Sequence, residues 1–251
     1  MNGKVPSRSI VMPVSIVAAI LFIAAGSFLL SGRPAVVLFD HPSKHFPYPL
    51  TIQNIMHFVF FIGLGELFVR WRSGVHEESF LSQRFLPEDE QTVLSPRDLG
   101  PIRMRVAREH NREHGFLPSL IDLSILQFQA SKSVDQTATI MNSSLELIAH
   151  RVDMRYGVVR FVAWLVPTLG FIGTVYALGA SLSEAGSSTG DLDIKDVART
   201  LGVGFDCTMV ALAQSAILVF LMQLIQEKEE TAVNLAGDYT LRNLINRLYA
   251  S

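Results

Sequence analysis

The chain has 251 residues, of which 49% are hydrophobic and 18% charged, with a formal net charge of −2. That balance is typical of a membrane protein and leaves no basic excess with which to grip a nucleic acid. A single cysteine, Cys207, excludes an internal disulfide. No P-loop, hydrolytic triad or metal-ligand motif stands out, so an enzyme is not expected.

Residues 1–9 are short and basic through Lys4 and Arg8. Ile10 to Leu30 is then apolar for about twenty residues, enough to cross a hydrocarbon core of roughly 30 Å. A signal peptide would carry a shorter apolar core and a small-x-small cleavage site, so 10–30 reads as a first transmembrane helix. Residues 31–50 hold Pro34, Pro42, Pro47 and Pro49, which rule out a long helix and predict a surface loop. His41 and His45 are not expected to share a metal, because Pro42 breaks the face that would aim them together.

The second apolar run ends in Arg70-Trp71-Arg72, an interfacial signature, and gives a span over 51–70. It contains His57 and Glu66. Glu66 is expected to pair with Arg70 one turn on, and His57 to hydrogen-bond a neighbouring helix. Residues 71–155 are polar, cut by Pro87, Pro96, Pro101 and Pro118, and rich in arginine: Arg72, Arg84, Arg97, Arg103, Arg105, Arg108 and Arg112. Within them Pro101 to Gly115, with Glu109 and Glu113 among its charges, reads as a charged helix, most simply a solvated face. Leu117 to His150 has helical spacing and no helix breaker after Pro118, predicting an unbroken run into the third span.

Two further apolar runs, 156–182 and 200–226, flank the acidic segment 183–199 with Glu184, Asp191, Asp193 and Asp196. The arginine asymmetry predicts both termini and 71–155 in the cytoplasm and the segments 31–50 and 183–199 in the periplasm. The tail 227–251 is predicted to be an amphipathic helix lying on the extension of the third span. The expected fold is all-α: a polytopic membrane protein with four spans and long extensions of the third and fourth.

The last two spans carry a stripe of small and hydroxylated residues. Pro167, Gly170, Thr174, Ala177 and Ser181 recur at steps of three and four on the first. Thr200, Gly204, Thr208, Ala211 and Ser215 do so on the second, and each set shares one helix face. Thr174 and Thr208 each lie about eight residues from the outer end of their run, hence roughly 12 Å deep at 1.5 Å per residue. Small stripes let helices pack closely, and two hydroxyls at one level can also line a polar path. Asp206 sits about 200° around the helix from Thr208. It is either an ion-binding carboxylate beside that path or a paired group that fixes packing.

Pro167-Thr-Leu-Gly-Phe-Ile-Gly-Thr-Val175, followed by Leu201-Gly-Val-Gly-Phe-Asp-Cys-Thr-Met-Val-Ala-Leu212, resembles the MotA/TolQ/ExbB proton-channel family. Pro167, Gly170, Gly173, Thr174, Val175, Thr208 and Leu212 fall in register with its signature. The sequence departs from it at Ala177, where many relatives have Gly, and at Ile217, where TolQ and ExbB tend to have Pro. Val203 replaces the glutamate those two carry five residues before the second Thr, and Asp206 stands two residues before it. The resemblance implies a homopentameric ring in the bacterial inner membrane around two copies of a single-span MotB/TolR/ExbD-like partner with a membrane aspartate. It further implies that passage of H+ or Na+ drives rotation, with Thr174 and Thr208 facing the ring interior and Pro167 allowing flexure. No cofactor is expected beyond the transported ion. The competing readings are a non-conducting scaffold of the same fold and a conventional solute transporter. The transporter is disfavoured because the two span pairs look unlike each other.

Overall fold

The computed structural model describes residues 6–43, 46–89, 91–109, 115–187 and 194–249. Lys4, His45, Arg112, Glu113, Asp191 and Asp193 lie outside them. The described residues form eight α-helices: α1 (Arg8–Leu29), α2 (Arg33–Phe39), α3 (Ile52–Leu81), α4 (Leu99–Glu109), α5 (Phe116–Ser131), α6 (Val134–Arg155), α7 (Gly157–Ser187) and α8 (Ile194–Asn243). A 3-10 turn at Ile245–Arg247 follows, and the described residues contain one isolated bridge, between Leu94 and Leu248. The protein is an all-helical membrane protein, in which α1, α3, the α6–α7 run and α8 each hold an apolar window long enough to cross a bilayer. Contacts divide it into two units. An apolar unit takes Pro6–Phe68 and Gly157–Gln223, and a charged unit takes Val69–Tyr156 and Leu224–Ser251.

In the apolar unit helices meet where side chains are small, as expected when apolar surface alone gives no preference for protein over lipid. α1 meets α3 at Ser15 and Gly65. α3 meets α7 and α8 at Gly63, where an added Cβ would stand 2.9 Å from Val162 and 3.0 Å from Leu218.

The segment between the first two spans is not the surface loop its prolines predict. Arg33–Phe39 forms a short helix that is folded into the unit, with Ala35 and Phe39 only 2% and 1% exposed. Phe39 stacks on Phe22 and His57, and Thr51 Oγ1 donates to its carbonyl at 3.1 Å. Pro34 sits in the first turn of α2, where a missing N–H costs nothing, and Asp40 ends the helix in a left-handed conformation at φ 51°. Prolines shorten helices; they do not prevent burial of an apolar run such as Ala35-Val-Val-Leu-Phe39.

In the charged unit, Leu117, Leu120, Ile121, Ile125 and Phe128 form the buried face of α5, which packs against α6. The unbroken helix expected from Leu117 to His150 is divided at Lys132 and Ser133. Lys132 turns left-handed at φ 55° and closes α5 with its N–H on the Phe128 carbonyl, while the Ser133 side chain accepts from Gln136 N to start α6. Ser-x-x-Gln is the sequence pattern of a capping box, a break signal that needs neither proline nor glycine; here the Ser133 half forms, and the Ser133 N–H donates to Ser131 Oγ instead. After α6 the helix is interrupted only at Tyr156 before α7. α8 continues past the apolar run into the charged unit, where Gly237 lies against Leu145 of α6. The charged helix expected over Pro101 to Gly115 is α4, Leu99–Glu109. Its Arg103 pairs with Asp122 of α5 at 2.8 Å.

Candidate ion-pathway site

α7 and α8 run antiparallel and are joined residue by residue along the small stripe. Ser181 Oγ donates to the Val197 carbonyl at 3.3 Å, and Ser215 Oγ to the Ala163 carbonyl at 2.8 Å. Between these two contacts the backbones nearly touch. A Cβ at Gly204 would stand 2.7 Å from the Ala177 methyl and 3.2 Å from Thr174 Cα, and one at Gly170 would collide with the Ala211 methyl. Gly173 makes the same close approach to Cys207 Sγ. At Gly204 and Gly170 nothing larger than hydrogen fits without moving a helix, whereas at Gly173 the close neighbour is a side chain.

Thr174 and Thr208 meet at the centre of this contact. Their hydroxyls hydrogen-bond each other. Thr174 Oγ1 lies 2.9 Å from the Gly204 carbonyl and 3.3 Å from that of Gly170; Thr208 Oγ1 lies 3.0 Å from the Gly170 carbonyl and 3.4 Å from that of Gly204. Each hydroxyl has one proton, so the two protons are shared among three kinds of acceptor, and several arrangements satisfy them equally. The pair is half-buried and uncharged, and it can pass a hydrogen bond onward by rotating its O–H groups. A neighbouring cavity of about 20 Å³, whose lining includes Asp40, Gln53, Thr200, Gly204 and Cys207, has room for about one water.

The structure thus brings together Gly170, Gly173, Thr174, Ala177, Ser181, Gly204, Thr208, Ala211 and Ser215, with Pro167 on the same helix one turn from Gly170. It does not bring Asp206 to them. Asp206 is 7% exposed and takes Arg33 of α2 at 3.1 Å. That pairing supports its reading as a paired packing group. The sequence does not single out Arg33, because the prolines of its segment predict a surface loop; the apolar run that follows it is the available signal.

Two other ionisable groups of the apolar unit have tertiary partners. Glu66 is buried, and Arg8 of α1 stands 2.5 Å from its carboxylate, a cation that helical spacing from Glu66 could not name. His57 Nε2 lies 2.8 Å from the Leu38 carbonyl and donates to it, and Nδ1 lies 2.6 Å from the Gln214 side-chain amide. The imidazole thereby ties α2 and α3 to α8. Among the described residues no group of three or more His, Cys, Asp or Glu side chains is placed to hold a metal ion.

The charged unit buries two carboxylates that sequence reading did not single out. Glu77 accepts from the Gly115 and Phe116 N–H groups at 2.6 and 2.7 Å, capping the start of α5. Burial pushes its pKa from 4.5 up to about 6 against the pull of those donors. Glu229 accepts from the Tyr156 hydroxyl at 2.9 Å and from Arg155 at 3.2 Å, and burial likewise raises its pKa.

No curated protein and no solved structure matches the chain at a significant level. A family model for the MotA/TolQ/ExbB proton channel family matches residues 108–236, just over half of the chain. The matched stretch contains α5 to α7 and most of α8, and so every residue of the hydroxyl-and-glycine contact, while α1 to α3 precede it. The chain belongs to the MotA/TolQ/ExbB proton channel family.

Proposed function

We propose that the chain is the ring-forming subunit of an ion-driven motor, most simply a homopentamer around two copies of a single-span MotB/TolR/ExbD-like partner that brings a membrane aspartate. The observation that carries this reading is the paired hydroxyls of Thr174 and Thr208, set at one level between two glycine carbonyls inside a family of proton channels. Such a pair is neutral and ambivalent: it can donate to a partner's carboxylate or accept from a water beside it without taking up the charge itself. The drive is the membrane potential, about 2.3 kcal/mol per charge per 100 mV. Pro167 interrupts the backbone ladder of α7 one turn from Gly170, where flexure would alter the reach of Thr174. On this reading the chain lies in a bacterial inner membrane with both termini and the arginine-rich charged unit in the cytoplasm, and carries H+ or Na+ with no further cofactor.

Thr208→Val, which keeps shape and removes the hydroxyl, is expected to leave assembly intact and abolish ion-driven work. The test is reconstitution with a co-expressed one-span partner, followed by an ion-flux assay. Full flux in the variant rules the relay out. A second reading, a non-conducting scaffold of the same fold, is favoured by one observation: both hydroxyls already have backbone acceptors within their own chain. The same reconstitution separates the two, since a scaffold passes no ions with or without its partner.

A further inference from the structure

Pro167 stands inside α7 and has no N–H, so the carbonyl four residues earlier, that of Ala163, lacks its helical donor. In a bilayer a carbonyl deprived of its donor must find another within the protein. Ser215 of α8 supplies it: its Oγ donates to the Ala163 oxygen at 2.8 Å. We propose that Ser215 is a positioning residue for the ion pathway, a brace that holds the Pro167 hinge of α7 in register with α8. Breaking one side-chain hydrogen bond frees the hinge, and re-forming it resets Thr174 against Thr208 two turns away.

Two features make the assignment specific. Ser215 is the stripe residue that reaches the one carbonyl in α7 which a proline has deprived of its ladder bond. The other hydroxyls of the contact, Thr174, Thr208 and Ser181, donate to carbonyls of residues whose helical donors are present. The bond also joins a neutral hydroxyl to a neutral carbonyl, so breaking it strands no charge. This inference rests on the reading of α7 and α8 as the walls of an ion pathway, but its test does not use ion flow.

The test is amide hydrogen exchange on the purified chain in lipid nanodiscs, comparing Ser215→Thr with Ser215→Val, which are nearly isosteric and differ in the hydroxyl. Ser215→Val is expected to speed exchange in the α7 turns around Pro167 by about threefold to fifteenfold, the range of one hydrogen bond between membrane helices. Ser215→Thr is expected to stay near the native rate. In a Pro167→Ala background the Ala163 carbonyl regains its helical donor, and the difference between Thr and Val should vanish. Equal exchange for Thr and Val in the native background overturns the brace, as does a difference that survives Pro167→Ala. If the brace is borne out while Thr208→Val still conducts, the hinge stands and the ion relay falls; the reverse pattern leaves the relay and removes the brace.

Discussion

Between α7 and α8 of the apolar unit the polar contacts run hydroxyl to carbonyl and hydroxyl to hydroxyl, whereas in the charged unit the buried Glu77 and Glu229 bond N–H groups, a phenol and a guanidinium. The α7–α8 contact and the two buried glutamates of the charged unit use opposite kinds of chemistry. Hydroxyl–carbonyl bonds are neutral, individually weak and interchangeable, so a helix pair held by them can shift register at little cost. Carboxylate bonds are charge-assisted and roughly twice as strong, and they fix a helix start or a helix crossing in one place. Contacts of the first kind suit a helix pair that can slide; contacts of the second suit a frame that stays fixed.

The largest effect expected from this contrast is in the charged unit. Glu77→Ala removes two charge-assisted bonds at once and leaves the Gly115 and Phe116 N–H groups without their acceptor. It should cost about 3 kcal/mol, read as a lowered denaturant midpoint with loss of α5 protection. A change near neutral would mean that α5 is not held by this cap. In the apolar unit the comparable lesion is steric. Gly204→Ala places a methyl against Ala177 and the Thr174 backbone and should cost about 2 kcal/mol, whereas Gly179→Ala, which faces open space, should be neutral or slightly stabilising. Equal thermal shifts for the two variants would break the claim that backbone proximity is what Gly204 provides.

Titration sharpens the comparison further. The folded Glu77 carboxyl has its pKa raised from 4.5 to about 6, so the folded chain binds that proton more tightly than the unfolded one. The associated stability is fully present below pH 4.5 and is lost as pH rises through 6, by about 2 kcal/mol. Glu229 is shifted in the same direction and adds to it. Unfolding midpoints between pH 4 and pH 7 should therefore fall with rising pH, and Glu77→Gln should flatten that slope. The smallest effect belongs to the surface: Arg103→Ala, which breaks a partly exposed pair with Asp122, should change stability by less than about 1 kcal/mol. A loss as large as that of Glu77→Ala would show that α4 is fastened by charge in the same manner as α5.

The all-helical fold and the four apolar runs were legible because length and helical spacing are properties of the chain itself. The Thr174–Thr208 level was legible too, since two antiparallel helices joined by a short connection place equal distances from their ends side by side. Other features required partners far away in sequence. Nothing near Asp206 indicates Arg33, and nothing near Glu66 indicates Arg8, because a salt bridge between elements has no period to read. The break at Lys132 and Ser133 is marked in the sequence only by Ser-x-x-Gln, a fainter signal than a proline or glycine.

The sequence by itself determined which faces of α7 and α8 could approach, because only glycine, alanine, serine and threonine leave room for backbones to meet. The tertiary structure alone decided what each polar group on those faces does. It set Thr174 and Thr208 on each other, turned Asp206 to Arg33, and gave Ser215 the carbonyl that Pro167 leaves open. The reason is physical: the size of a side chain is carried with it, whereas its hydrogen-bond partner exists only once two distant stretches of chain have come together.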